Sequence, residues 1–146
     1  MTTIKKSIVI DAPLEQVDAL LIDTQRLPEW YAGVTAVAPS PGYPVEVNST
    51  CKITYKAAGV AMETNFTTIE CVLKSTLTFQ MQGMITGTNR WDISEEGSGT
   101  KVAVTIDYEM AGGGLGKIAD KLIVERMNDK NAAASLENLK AMAEGQ

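Results

Sequence analysis

The chain has 146 residues, of which 45% are hydrophobic and 21% are charged, a composition ordinary for a globular protein. Its net charge of −5 argues against a nucleic-acid partner, because phosphate backbones are bound by basic surfaces. The absence of histidine excludes His-based acid–base catalysis, Ser-His-Asp and Cys-His nucleophile systems, and imidazole metal sites.

The remaining composition narrows the class further. Two cysteines, Cys51 and Cys71, are too few for a cysteine-rich metal site, so we expect neither a metal nor a cofactor. No apolar run approaches the roughly 18 residues of a membrane span. The first residues, Met1 to Lys6, lack the apolar core of a signal peptide, and we therefore expect a cytoplasmic protein.

The first third of the chain alternates between strand and helix signals. Asp11-Ala12-Pro13 precedes a helical segment, with a polar cap region and a proline at an early helical position. Prolines and a glycine between positions 39 and 44 mark a loop. The predicted elements are a strand Ile4–Ile10, a helix Leu14–Ile22, a second short helix through Arg26, and a strand Val34–Ala38.

A hairpin follows, and its register can be counted from its turn. With Ala58-Gly59 as a two-residue turn, Tyr55 faces Met62, Ile53 faces Thr64 and Cys51 faces Phe66. Cys71 then lies five residues further along, at about 16 Å from Cys51. Because a disulfide needs Cα atoms within about 7 Å, both thiols should be free.

Two further hairpins complete a predicted antiparallel sheet, after a turn placed between Val72 and Ser75. A three-residue turn, Gln82-Gly83-Met84, sets Phe79 opposite Gly87 and Leu77 opposite Asn89. A turn at Glu96 to Gly99 sets Trp91 opposite Val104, Asn89 opposite Ile106, and Gly87 opposite Tyr108. Gly87, between Phe79 and Tyr108, would leave a gap over which aromatic rings can lie.

The last stretch, Ala111 to Glu144, opens with a glycine cluster and continues in strong helix formers without proline. A helix of roughly 28 residues would be about 40 Å long, enough to cross a small domain. The strands alone would leave a wide apolar sheet face bare. We therefore expect the sheet to curl around this helix, with the functional space between them.

The order of these elements resembles the START-like helix-grip superfamily, also called SRPBCC, which includes polyketide cyclase/dehydrase-like and Bet v 1-like proteins. The resemblance is carried by Ile8 to Pro13 with Glu15 and Val17, Leu27-Pro28-Glu29-Trp30, Gly99 to Val102, and Ser135 to Lys140. It implies an α+β fold in which a seven-stranded antiparallel sheet grips the C-terminal helix around an apolar cavity. It also implies one domain over residues 1–146, but no single activity.

Candidate ligand-binding residues follow from the inward parity of the strands and of the helix. Apolar walls with a few polar groups are typical of a small-molecule pocket, although a filled core with bonded polar groups is the alternative. The candidates are Tyr55, Met62, Thr64, Phe66, Phe79, Asn89, Trp91, Tyr108, Leu115, Ile118, Leu122, Glu125 and Asp129.

A polar break in the middle of the helix leaves two interpretations open. The sheet-facing positions counted back from Leu136 include Asp129 or Asn128, and Glu125. One carboxyl could project into the cavity as a polar anchor or a proton donor. Alternatively, both lie at the edge of the apolar stripe and pair with Lys121 or Arg126.

These observations favour a protein that binds or carries a hydrophobic or aromatic small molecule. The alternative is a polyketide cyclase or dehydratase that moves protons on a carbonyl substrate, and a weaker one is a chaperone or partner-binding module. The lack of histidine and of a clear acid–base pair favours binding. The expected partner is a hydrophobic ligand, without nucleic acid or a membrane span, bound by a monomer or weak homodimer.

Overall fold

The computed structural model describes residues 2–39, 42–110 and 121–145. Its helices are α1 (Leu14–Leu21), α2 (Leu27–Trp30), which follows a short 3₁₀ turn at Thr24–Arg26, and α3 (Lys121–Glu144). Its strands are β1 (Thr2–Ile10), β2 (Val34–Ala38), β3 (Thr50–Ala57), β4 (Val60–Val72), β5 (Thr76–Gly83), β6 (Ile85–Glu96) and β7 (Gly99–Met110).

The strands form one seven-stranded antiparallel sheet in the order β1-β7-β6-β5-β4-β3-β2. The N-terminal strand β1 therefore pairs with the last strand, and β2 lies at the opposite edge. The predicted fold class, a sheet curled around a long C-terminal helix with short helices between the first two strands, is confirmed. No helix in the described ranges is long and apolar enough to span a bilayer.

Two of the three predicted registers are confirmed. The β3–β4 pairing sets Tyr55 opposite Met62 and Cys51 opposite Phe66. The β6–β7 pairing sets Trp91 opposite Val104 and Gly87 opposite Tyr108. Both cysteines are free thiols, as the strand offset predicts.

The predicted β5–β6 register is wrong by two residues. Phe79 faces Asn89 rather than Gly87, and Met81 is the residue opposite Gly87. The reason is that the end of β5 pairs with β4 and no longer with β6, since Gly83 lies opposite Thr64 of β4. The hairpin loop is consequently longer than three residues. A shift of two preserves which face each side chain occupies, since side chains alternate along a strand.

The β4–β5 turn lies where it was placed, between Val72 and Ser75, although it contains neither glycine nor proline. The backbone N–H of Ser75 donates to the carbonyl of Val72 at 3.0 Å. Lys74 supplies the positive φ, 62°, that this turn requires. A turn therefore forms here without the glycine or proline that usually indicates one in a sequence.

Helix α3 has 24 described residues and is about 36 Å long. It packs on β1, β3, α1 and α2. Residues spaced by three or four form its buried face, as an amphipathic helix requires. They are Val124, Asn128, Ala132, Ser135, Leu136, Leu139 and Ala143. The predicted helix entry at Ala111 to Gly116 lies outside the described residues.

Candidate functional site

A cavity lies between the concave face of the sheet and the N-terminal half of α3. Strands β1 to β7 and the loop after α2 all contribute to its walls. Asn128 and Ala132 of α3 cover the side opposite the sheet. The lining residues are Ile4, Tyr31, Val34, Ile53, Tyr55, Thr64, Phe66, Met81, Ile85, Ile106, Tyr108, Asn128 and Ala132.

The cavity exists because α3 presents small or short side chains there. Ala132 contributes only a methyl group, and the side chain of Asn128 is held in place by hydrogen bonds to Tyr55 and Tyr108. One turn further, the larger Leu136 and Leu139 fill the equivalent space and are 2% and 0% exposed. The size of the helix side chains thus decides where the interior is open.

One hydrogen-bonded cluster joins α3 to two strands across the cavity. The Tyr55 hydroxyl donates to Asn128 Oδ1 at 2.9 Å, and Asn128 Nδ2 donates to the Tyr108 hydroxyl at 3.0 Å. Asn131 Nδ2 donates to the Tyr55 hydroxyl at 2.9 Å. The polar break in the helix is therefore filled by an amide whose oxygen and nitrogen both have partners.

A second cluster lies under the loop that follows α2. Trp91 Nε1 donates to Asn89 Oδ1, and Asn89 Nδ2 donates to the Tyr31 hydroxyl at 2.9 Å. Asn89 is fully buried, so these bonds offset the cost of removing its amide from water. Thr64, also buried, donates to the carbonyl of Ile85 at 2.7 Å and is satisfied within the sheet.

Aromatic rings hold Tyr31 in place. Its ring lies 5.9 Å from that of Trp91 and 6.5 Å from that of Tyr55, in tilted-edge or T-shaped arrangements that aromatic quadrupoles favour. The turn after it depends on Gly33, whose φ is +97°. A Cβ at Gly33 would lie 2.5 Å from the Tyr55 ring, so only glycine allows this close approach.

The tyrosines of the cavity are protonated phenols at neutral pH. Burial raises the pKa of Tyr55 to about 12, against a weaker lowering by the Asn131 hydrogen bond. Burial also raises the pKa of Tyr31, aided by the nearby Tyr55 phenol, and that of Tyr108. The cavity therefore offers hydrogen-bonding hydroxyls rather than charge.

The open space is narrow. The enclosed volume of the cavity is only about 40 Å³. This volume corresponds to a few water molecules. A ligand with one or more rings must therefore displace lining side chains when it enters.

The structure brings four of the predicted site residues to the cavity wall. These are Tyr55, Thr64, Phe66 and Tyr108. Four others are buried in the surrounding core but do not line the cavity: Met62, Phe79, Asn89 and Trp91. Leu122 is 51% exposed, which corrects its expected inward position, and Leu115 and Ile118 lie outside the described residues.

The carboxylates of α3 do not project into the cavity. Asp129 is exposed and pairs with Lys6 at 3.0 Å. Glu125 is half-buried and accepts a hydrogen bond from Thr2 at 3.1 Å. Because successive helix residues are rotated by about 100°, it is Asn128 rather than Asp129 that faces inward. This supports the edge interpretation, and β1 supplies a partner to each of the two carboxylates.

Sequence reasoning missed several wall residues. Tyr31 is not among the candidates drawn from the sequence, and Asn128 is only the alternative to Asp129. Ile4 reaches the wall because it pairs with Ile106 across the β1–β7 closure, which no local turn signals. Ile53, Met81 and Ile106 occupy inward-facing positions in the alternation of their strands, and this pattern could have identified these three as wall residues. Among the described residues, no group of acidic or cysteine side chains could hold a metal.

Comparison with known proteins gives a consistent result. A family model described as "Polyketide cyclase / dehydrase and lipid transport" matches residues 1–144. None of the curated proteins matches the chain.

Three solved structures illustrate the likeness of fold. A protein from Thermus thermophilus is 21% identical, with 99% of this chain and 98% of that chain covered and a TM-score of 0.79. The Zhui aromatase/cyclase from a Streptomyces species is 12% identical, with 98% and 93% covered and a TM-score of 0.80. The major latex-like protein 151 of Panax ginseng is 16% identical, with 97% of each chain covered and a TM-score of 0.70.

At these identities the structural matches establish only the fold. That fold is the Bet v 1-like helix-grip fold. The family model covers nearly the whole sequence and carries the assignment of family. The chain belongs to the polyketide cyclase / dehydrase and lipid transport family.

Proposed function

We propose that this protein binds a hydrophobic or aromatic small molecule in the cavity beneath the N-terminal half of α3, as a binding or carrier protein. The observation that carries the proposal is the cavity wall itself. It is mostly apolar, with a few hydroxyl and amide groups, which is the usual composition of a small-molecule site. The proposal treats residues 1–146 as one domain, since the family model spans 1–144.

The alternative is a cyclase or dehydratase acting on a carbonyl substrate. The family description and the similar fold of an aromatase/cyclase favour it. The described wall residues, however, include no carboxylate, lysine or cysteine, and burial keeps their phenols protonated. Such phenols can polarise a carbonyl but do not take up and release protons near neutral pH, which supports binding over proton transfer.

The proposal is tested by filling the cavity from the helix side. Ala132 lines the cavity, whereas its neighbour Ala133 is exposed, so Ala132→Leu and Ala133→Leu form a matched pair. The neutral fluorescent probe N-phenyl-1-naphthylamine reports binding. Overpacking costs about 1–3 kcal/mol, so Ala132→Leu should weaken probe binding by roughly tenfold or more.

Ala133→Leu should bind the probe like the wild type, and circular dichroism should show that both variants are folded. Equal binding by the wild type and both variants would place the probe elsewhere and reject the proposed cavity. A wild type that binds no probe would reject the binding function.

A further inference from the structure

The orientation of the buried Asn89 amide is fixed by its neighbour. The indole N–H of Trp91 is a donor only, so the Asn89 atom that faces it must be the carbonyl oxygen. The Asn89 nitrogen therefore faces Tyr31, 2.9 Å from the hydroxyl oxygen. Because this nitrogen can only donate, the Tyr31 oxygen must accept.

These two hydrogen bonds do not use the hydroxyl proton of Tyr31. The Tyr31 oxygen already accepts from Asn89, so its own O–H remains to be donated. Within the described part of the chain, no group accepts a hydrogen bond from it. Tyr31 is only 8% exposed, and a buried donor without a partner costs about 1–3 kcal/mol.

The position of Tyr31 is set by α3 as well as by its own short loop. The backbone N–H of Ala32 donates to Ser135 Oγ at 2.8 Å, and Asn138 Nδ2 donates to the carbonyl of Trp30 at 3.1 Å. The residues on both sides of Tyr31 are thus tied to the helix. Tyr31 itself lines the cavity.

Resting on the binding function proposed above, we propose that Tyr31 orients the ligand by donating its hydroxyl proton to an acceptor on it. The ligand class is a neutral ring compound with a carbonyl group, such as a cyclic ketone, quinone or lactone. A carbonyl accepts this proton and brings no charge, and none of the described wall residues carries a charge that could pair with an anion. Burial raises the pKa of Tyr31, so it stays a donor throughout the neutral range.

The test compares probes that differ only at the acceptor. The probes are 1-indanone, indane and 1-indanecarboxylate, each displacing N-phenyl-1-naphthylamine from the wild type, Tyr31→Phe and the control Tyr43→Phe. Tyr43 is 60% exposed, so its hydroxyl should not matter. Losing one neutral hydrogen bond should weaken 1-indanone binding to Tyr31→Phe by roughly 2- to 12-fold.

Indane should bind the wild type and Tyr31→Phe equally, and 1-indanecarboxylate should bind the wild type more weakly than 1-indanone. If Tyr31→Phe binds 1-indanone as the wild type does, or if the carboxylate binds the wild type at least as tightly, the assignment to Tyr31 and a neutral carbonyl is overturned while the binding function stands. If none of the three compounds displaces bound N-phenyl-1-naphthylamine, the assignment to Tyr31 is overturned while the binding function stands, whereas both proposals fail together if N-phenyl-1-naphthylamine itself does not bind.

The infrared spectrum of bound 1-indanone tests the same inference on the wild type, without requiring that a variant folds. The infrared carbonyl stretch of bound 1-indanone should lie at lower frequency than in cyclohexane, because a donated hydrogen bond weakens the C=O bond. The shift should disappear in Tyr31→Phe and persist in Tyr43→Phe. A bound carbonyl with the cyclohexane frequency in the wild type would overturn the inference.

Discussion

The two halves of α3 contact the same sheet with opposite results. The C-terminal half inserts Leu136, Leu139 and Ala143 into a filled core. It is also tied to the start of α1, since Gln16 Nε2 donates to the carbonyl of Ala143 at 2.6 Å. The N-terminal half instead presents Asn128 and Ala132 to a cavity. A single helix thus stabilises the fold at one end and leaves space for a ligand at the other.

The largest expected effect comes from breaking the filled half. Leu139→Ala removes a fully buried side chain and should lower the free energy of unfolding by about 2–5 kcal/mol. The exposed neighbour Glu137→Ala is the control and should change it by about 0.5 kcal/mol or less. Urea denaturation measures both. A loss below about 1 kcal/mol for Leu139→Ala would show that this half is not tightly packed.

The cavity half should reveal itself at alkaline pH. The pKa of Tyr55 rises from 10.0 to about 12 on folding, so the folded state holds this proton more tightly than the unfolded state does. The resulting stability is fully present below pH 10 and is lost as the pH rises towards 12 and beyond.

Tyr55→Phe isolates this contribution from other groups that titrate in the same range. The stability difference between the wild type and Tyr55→Phe should shift by about 2 kcal/mol, in favour of the variant, between pH 9 and pH 12. Urea denaturation at each pH gives the difference. A constant difference across this range would mean that the Tyr55 hydroxyl ionises as freely in the folded protein as in the unfolded chain.

The smallest expected effect comes from the surface of the N-terminal half. Asp129→Asn removes an exposed ion pair with Lys6 and should cost about 0–1 kcal/mol of stability. Probe binding should be unchanged, because Asp129 lies outside the cavity wall. A tenfold change in affinity for N-phenyl-1-naphthylamine would instead place this carboxylate at the ligand.

Local signals in the sequence predict much of the sheet. The turns at Ala58-Gly59 and around Gly97 determine two registers correctly, since a short hairpin turn fixes its flanking pairs. The β5–β6 register is not local, because Gly83 is held by β4 and this competition is invisible in the hairpin itself.

The site is harder to predict than the fold for a similar reason. An uncertainty of one residue along α3 exchanges Asn128 for Asp129, and this changes the chemistry expected in the cavity from acidic to neutral. Tyr31 is positioned by Ser135 and Asn138, more than 100 residues away in sequence. Such contacts depend on the completed fold, so neither periodicity nor turn chemistry indicates them.

A titration of the ¹⁵N-labelled protein with N-phenyl-1-naphthylamine, followed by amide NMR shifts, tests the contrast between the two halves most directly. The largest shifts should occur at Tyr31, Tyr55 and Ala132, which line the cavity. Leu139 and Ala143, in the filled half, should move little. Shifts centred on that half, or on the exposed Val72 and Leu73 of the β4–β5 hairpin, would contradict a ligand site beneath the N-terminal half of α3.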